Sequence, residues 1–274
     1  MIPFSELAEY IVEDFIINTV IFGIMTIPAF VLLYMVFKDR FNLRKIQQKP
    51  RPASITRTEI TYSVITLFVI VFLDVLTYIA QKHGYTKMYD NISDHGWLYF
   101  FATIPVLIVM HDTWFYFTHR LMHHPAIYKY VHKVHHLSTS PSPFAAFSFH
   151  PIEAVVQTGI YVIGVFIFPI NFYALLIWQL FQMSMNVISH SGYGFYPKGF
   201  TKKSLFRFKT ATTHHDQHHA KFNGNYSLYF TWWDRWMGTE FKDYHQAFDS
   251  IYERFDKAVK AETKVVAAAQ EVEA

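Results

Sequence analysis

From Phe15 to Phe37 the chain carries no charged side chain. At about 1.5 Å of rise per residue, a helix over that stretch crosses a hydrocarbon core roughly 30 Å thick. In lipid every backbone polar group must be satisfied within the chain, and one unbroken apolar run achieves that only as a helix. Pro28 predicts a kink, which membrane helices tolerate. A second such run extends from Tyr62 to Ala80 with a single acid, Asp74. A third begins near Trp97 and reaches the first of many histidines without a break. Only 16% of residues are charged and 52% are hydrophobic, whereas soluble domains hold about a quarter charged. The sequence therefore predicts an integral membrane protein of the all-α class, a bundle of about four to five hydrophobic helices.

The polar segments orient that bundle. The loop from Lys38 to Arg57 holds Lys38, Arg40, Arg44, Lys45, Lys49, Arg51 and Arg57 against Asp39 alone. Basic loops favour the cytoplasmic side, so the acidic start (Glu6, Glu9, Glu13, Asp14), which lacks a secretory signal's basic residues, is placed outside. Two further apolar runs, Ile152–Phe168 and Phe172–Ile188, are separated by Pro169, Ile170 and Asn171, and read as a tight helical hairpin. Counting spans forward puts His119–His150 and His214–His219 on one, cytoplasmic, face. Gly192–Thr210 alternates aromatic and basic residues and predicts a helix at the headgroup level. The tail after Glu253 reads as an exposed, frayed helix or disorder, and Gln270–Ala274 carries no retention signal. The predicted organisation is a transmembrane region over 1–96, a catalytic domain over 97–250 that includes the hairpin at 152–188, and a tail over 251–274. A net charge of +3 predicts no nucleic-acid partner. With no cysteine, disulfides, thiolate metal sites and cysteine nucleophiles are excluded.

Sixteen histidines are the anomaly. Three clusters stand out: His119-x3-His123, His132-x2-His135-His136 and His215-x2-His218-His219. Residues three or four apart on a helix share a face, so each cluster aims imidazoles at one point. Eight ring nitrogens from three segments suffice for two metal ions. Imidazole suits iron, zinc, copper and nickel alike, so spacing shows a metal cage without choosing the metal. Isolated histidines (His83, His95, His245) read as ordinary surface or hydrogen-bonded residues.

The stretch His111-Asp112 through His119-Arg-Leu-Met-His123 resembles the sterol desaturase / fatty acid hydroxylase superfamily. So do His132–His136, His150-Pro-Ile-Glu153, His190, His214–His219 and Trp233-Asp-Arg-Trp-Met-Gly-Thr239. That resemblance implies a cytosolic cap with a di-metal centre: two iron ions, zinc being possible as purified, held by His119, His123, His132, His135, His136, His190, His215, His218 and His219. His111, His150 and His214 match positions that are either further ligands or groups orienting the ligands. Asp112, Asp216 and Glu153 are candidates to accept a histidine's outer N–H, the bland alternative being solvated helix-end carboxylates. Asp74, inside a span, is either functional or paired with a neighbouring helix. The implied activity is O2-dependent hydroxylation or desaturation of a membrane lipid. Three residues between the histidines of the first cluster look like the sterol-oxidising branch, so a sterol or complex lipid is favoured over a fatty acyl substrate.

With no His-Pro-Gly-Gly haem motif and no GxGxxG loop, electrons should come from a separate donor, a cytochrome b5-like protein or a ferredoxin with its reductase. The expected location is the endoplasmic reticulum in a eukaryote or the inner membrane in a bacterium. Rival readings are a histidine-rich metal transporter or a structural metal-binding membrane protein. An intramembrane protease is disfavoured, since HExxH is absent.

Overall fold

A computed structural model describes residues 2–203 and 206–273. Three helices are long and apolar enough to cross a membrane: Phe4–Val36, Ala53–Lys82 and Gly96–Met122. The first comprises α1 (Phe4–Val31), which runs through Pro28 and then widens into a π-helical turn over Leu32–Val36. The others are α2 (Ala53–Lys82) and α3 (Gly96–Met122). The short α4 (Pro125–Val131) follows, started by Pro125 in its first turn, where a missing N–H costs nothing.

The predicted hairpin is α5 (Pro151–Ile167) and α6 (Phe172–Ser189), joined at the Pro169–Asn171 turn. Asn171 caps α6 by accepting the Tyr173 N–H at 2.9 Å. Its amide reaches back to the Tyr89 carbonyl, pinning the turn to a two-residue strand at Met88–Tyr89. The C-terminal helices are α7 (Thr212–Lys221), α8 (Trp232–Trp236) and α9 (Tyr244–Glu273), and a single helical turn at Lys38–Phe41 opens the basic loop. The architecture is an all-α membrane bundle carrying a histidine-rich cap.

Successive long helices run antiparallel. The C-terminal ends of α1, α3 and α6 and the N-terminal ends of α2 and α5 therefore share one end of the bundle, where the histidines lie. Between them sits Pro143–Phe147, a 3-10 segment whose residues are all buried. Buried backbone must find partners. Ser63 of α2 donates to the Phe144 carbonyl at 2.9 Å, and Asn186 of α6 donates to the Ala146 carbonyl at 2.7 Å. Phe144 and Phe147 pack with Phe22, Leu67, Met183 and Val187 from three helices. The basic loop closes over the same end, with Arg51 paired to the fully buried Glu59 of α2.

Two local expectations differ. Gly192–Thr210 is not a membrane-surface helix. Its described residues form turns and one 3-10 turn at Phe200–Lys202, because Gly192 and Gly199 take positive φ (74° and 73°) and Pro197 removes a donor. His132–His136 is a turn leading into the 3-10 turn His135–Leu137, not a helical face. Beyond Glu253 the chain continues α9 with mostly exposed residues through Ala261, in line with the exposed helix expected of the tail, after its first turns bury Phe248, Ile251 and Tyr252 against Phe200 and Ala211. Ala274, the last residue of the tail, lies outside the described residues.

Candidate metal centre

The histidines assemble from four pieces of chain. His119 lies in the last turn of α3 and His123 caps it. His132, His135 and His136 follow α4, His190 caps α6, and α7 carries His215, His218 and His219. They fall into two sets: His119, His123, His132, His136 and His218, and then His135, His190, His215 and His219. Within each set the inward nitrogens all lie within 4.8 Å of one another. The sets adjoin, the His136 and His219 rings having centroids 4.8 Å apart.

The outer nitrogens decide the chemistry. His119 Nδ1 donates to the Tyr226 carbonyl (2.7 Å), His218 Nδ1 to the Gly224 carbonyl (2.7 Å) and His219 Nδ1 to the Ser138 carbonyl (2.9 Å). His190 Nδ1 donates to the Asn186 carbonyl (2.9 Å) and His135 Nδ1 to the Ser148 carbonyl (3.2 Å). His132 Nδ1 donates to the Glu153 carboxylate at 2.6 Å. A neutral imidazole has one N–H. With that proton committed outward, each inward Nε2 presents only a lone pair.

Yet Nε2 of His119 lies 3.0 Å from Nε2 of His132, and Nε2 of His190 lies 3.3 Å and 3.2 Å from those of His135 and His219. Lone pairs facing one another without a proton between them repel, and a shared cation turns that repulsion into coordination. Protons are poor candidates for the role. Burial, with repulsion from neighbouring imidazoles, pushes His132, His135, His136, His215, His218 and His219 well below the usual histidine value. The donor set, neutral nitrogen throughout, fits a pair of divalent transition metals.

Glu153, at the start of α5, is fully buried against His132. The other expected partners lie elsewhere. Asp112 accepts the Tyr229 and Phe230 backbone N–H groups at 2.7 and 3.3 Å, and no histidine. Asp216 accepts from Gln47 Nε2 at 2.9 Å, its carboxyl pushed up to about 7 by burial. Sequence neighbours on a helix point about 100° apart, so adjacency to a ligand does not bring contact with it. His111 stands outside both sets, its Nδ1 bonded to the Tyr229 hydroxyl at 2.7 Å. His150 caps α5, accepting the Ile152 N–H at 3.3 Å.

His214 faces away from the sets, its Nε2 lying 3.3 Å from the buried Asp234. Asp234 was not singled out by spacing. It accepts the Tyr226 and Ser227 N–H groups, both at 2.9 Å, and the Thr239 hydroxyl at 2.7 Å. Burial alone would raise its carboxyl, but the His214 imidazole and these donors outweigh it and hold it at about 2. Asp234 thus anchors the loop whose Gly224 and Tyr226 carbonyls orient His218 and His119. Gly224 itself leaves no room for a side chain, since a Cβ would sit 2.7 Å from the Thr239 carbonyl and 2.8 Å from the Phe241 ring.

A cavity of about 430 Å³ lies in the bundle, separated from the histidine sets by the Phe115 and Phe149 rings that line it. Phe115 and Phe149 line its near end, their rings 4.9 and 5.1 Å from those of His119 and His135. Apolar side chains such as Ile70, Leu175 and Met183 line its length, and Asp14 and Asp74 its far end. Asp74 therefore meets a neighbouring helix, within hydrogen-bond reach of Asp14 and Asn18 of α1.

Residues 104–239 match the fatty acid hydroxylase family. The chain is 31% identical to methylsterol monooxygenase 1 of Rattus norvegicus over 89% of its own length and 85% of the relative's. The chain belongs to the sterol desaturase / fatty acid hydroxylase superfamily. It is also 32% identical to a Delta(7)-sterol 5(6)-desaturase of Gibberella zeae, over 79% of this chain and 64% of the relative. With lathosterol oxidase of Rattus norvegicus it shares 34% identity, over 67% of this chain and 60% of the relative. The chain thus spans under two thirds of the length of those two relatives. No solved structure matches the chain significantly.

Proposed function

We propose that this chain is an O2-dependent di-iron oxidoreductase that hydroxylates or desaturates a membrane lipid, with a sterol the favoured substrate class. The observation that carries the reading is the pair of imidazole sets in which six of the nine rings have their outer N–H fixed by a carbonyl or carboxylate acceptor. His119, His123, His132, His136 and His218 would hold one ion, and His135, His190, His215 and His219 the other. When bound, such a pair of ions activates O2 for attack on an unactivated C–H bond.

The chain's own residues do the rest. Glu153 and the Tyr226, Gly224, Ser138, Ser148 and Asn186 carbonyls lock the ring orientations. Phe115 and Phe149 form an apolar gate between cage and cavity, holding water away from the reacting carbon. The cavity sheathes the lipid in aromatic and aliphatic side chains, so only the carbon presented at the gate reacts.

The basic loop from Lys38 to Arg57 lies at the histidine end, and the positive-inside rule places that end in the cytoplasm. The membrane would be the endoplasmic reticulum in a eukaryote or the inner membrane in a bacterium. Electrons would arrive there from a separate cytochrome b5-like protein or a ferredoxin with its reductase. Sterol-acting relatives on both sides of the hydroxylation/desaturation divide support the substrate class and leave the reaction outcome to experiment.

The test is lipid mass spectrometry on cells with and without the chain, under O2. A gain of one oxygen or a loss of two hydrogens on one lipid class is expected, abolished in His135→Ala. An unchanged lipid profile, or full activity in that variant, refutes the reading.

A further inference from the structure

Polar atoms in an apolar cavity are costly unless something pairs with them. Among the described residues, four cavity-lining side chains have buried polar atoms without a partner: Asp14 Oδ2 at the far end and, toward the histidines, both amide atoms of Gln157, the Tyr161 hydroxyl and Trp178 Nε1. Gln157 and Tyr161 are four residues apart on α5 and share a face. Tyr161 packs against the cluster that contains Trp178, whose ring meets His111 edge-on at 5.2 Å. Gln157 is also four residues from Glu153, so it sits about 6 Å up the helix from the carboxylate holding His132. The three groups therefore form a polar strip along one wall, beginning close to the reacting end.

Their chemistry narrows the ligand. An amide offers a donor and an acceptor, a phenol both, an indole a donor. A hydroxyl, itself donor and acceptor, satisfies such a set; a ketone would leave the amide oxygen unmatched. The described lining includes no lysine or arginine, so a carboxylate or phosphate headgroup would be buried without a counter-charge. The far-end carboxyls are less suited to the task. Asp14 Oδ1 is engaged by Asn18 at 3.1 Å, its unpartnered Oδ2 lies at the end of the cavity away from the cage, and Asp74 lies against both residues.

We propose that Gln157, supported by Tyr161 and Trp178, is the specificity-determining subsite for the hydroxyl of a neutral lipid alcohol. Through that hydroxyl it sets which carbon reaches the histidine cage. The proposal rests on the lipid-oxidising reading above and names the substrate feature it selects. A hydroxyl held one helical turn from Glu153 places oxidation on carbons near that hydroxyl, at the ring end of a rigid sterol.

The test is binding, read apart from turnover. Purified intact chain in detergent is titrated with 5α-cholestan-3β-ol, with 5α-cholestane, which lacks only the hydroxyl, and with palmitate. The wild type should prefer the alcohol over the hydrocarbon by roughly 2–10-fold, the value of one neutral hydrogen bond, and bind palmitate more weakly than the alcohol. Gln157→Leu should erase the preference while keeping cholestane affinity, which shows the fold intact, and Tyr161→Phe should reduce it. Equal binding of the two sterols by the wild type overturns the proposal, as does a preference that survives Gln157→Leu. Loss of preference in Asp14→Asn with Gln157→Leu unaffected overturns it too. Oxidised lipid in cells alongside any of these refutations sinks the subsite and leaves the oxygenase reading standing. A preserved preference with no oxidised lipid in any cell does the reverse.

Discussion

Replacing Glu153 tests whether orientation of the imidazoles, and not merely their number, builds the metal cage. The carboxylate is fully buried and accepts from His132 Nδ1 at 2.6 Å. Glu153→Gln keeps an acceptor but removes its charge. A hydrogen bond to a charged group contributes about 1.5–3 kcal/mol and a neutral one about 0.5–1.5 kcal/mol. The difference, roughly 1–1.5 kcal/mol, corresponds to about a 5–10-fold loss of metal affinity. Glu153→Ala removes the acceptor altogether and should cost about 10–100-fold, as partners of metal-bound histidines generally do. The assay is competition for Fe(II) against a chelator of known affinity, under argon, with His135→Ala as the comparison. The expected order is wild type, then Gln, then Ala. Unaltered affinity in Glu153→Ala would refute the idea that His132 depends on its outer partner.

Gly224→Ala should destabilise the chain by about 1–3 kcal/mol, the usual cost of overpacking, because its Cβ meets the Thr239 carbonyl and the Phe241 ring; thermal unfolding in detergent, with metal retention, reads it. Asp234→Ala leaves the Tyr226 and Ser227 amides and the Thr239 hydroxyl without their acceptor, a loss of about 3–5 kcal/mol that should lower the melting temperature by roughly 10 °C. The pH dependence follows from the histidines of the cap. Their folded-state values lie well below the ordinary 6.5, so below 6.5 the unfolded chain binds more protons than the folded one. Stability is therefore full above about pH 6.5 and falls as the pH drops beneath it. Acid titration of intrinsic fluorescence and metal content should show both decline together, and a cap unchanged down to pH 4.5 would contradict the burial of these rings.

Much of this was legible from residue spacing because helices and turns are local. HxxxH at the end of an apolar span, HxxHH on α7 and a proline-split hairpin each needed only a few consecutive residues. What escaped the sequence is non-local. Five of the six acceptors that fix ring orientation are backbone carbonyls, which any residue supplies, so the side chains at Tyr226, Ser138 and Ser148 gave no signal. Asp112 and Asp216 looked like partners because they adjoin histidines, yet helical geometry turns them toward the Tyr229–Phe230 backbone and toward Gln47. Asp234 carried a readable hint in the Trp233–Thr239 motif, but its role depends on Tyr226 and His214 folding back upon it. Gly192–Thr210 alternates aromatic and basic residues as a headgroup helix would, but positive φ at Gly192 and Gly199 and the missing donor of Pro197 break the backbone into turns.

The most direct test of the central claim is the metal content of the intact chain after anaerobic reconstitution with Fe(II). Two irons per chain are expected, with His123→Ala and His219→Ala, one from each imidazole set, each lowering the count. A chain that binds no iron, or that keeps both ions when residues of both sets are replaced together, would contradict the account.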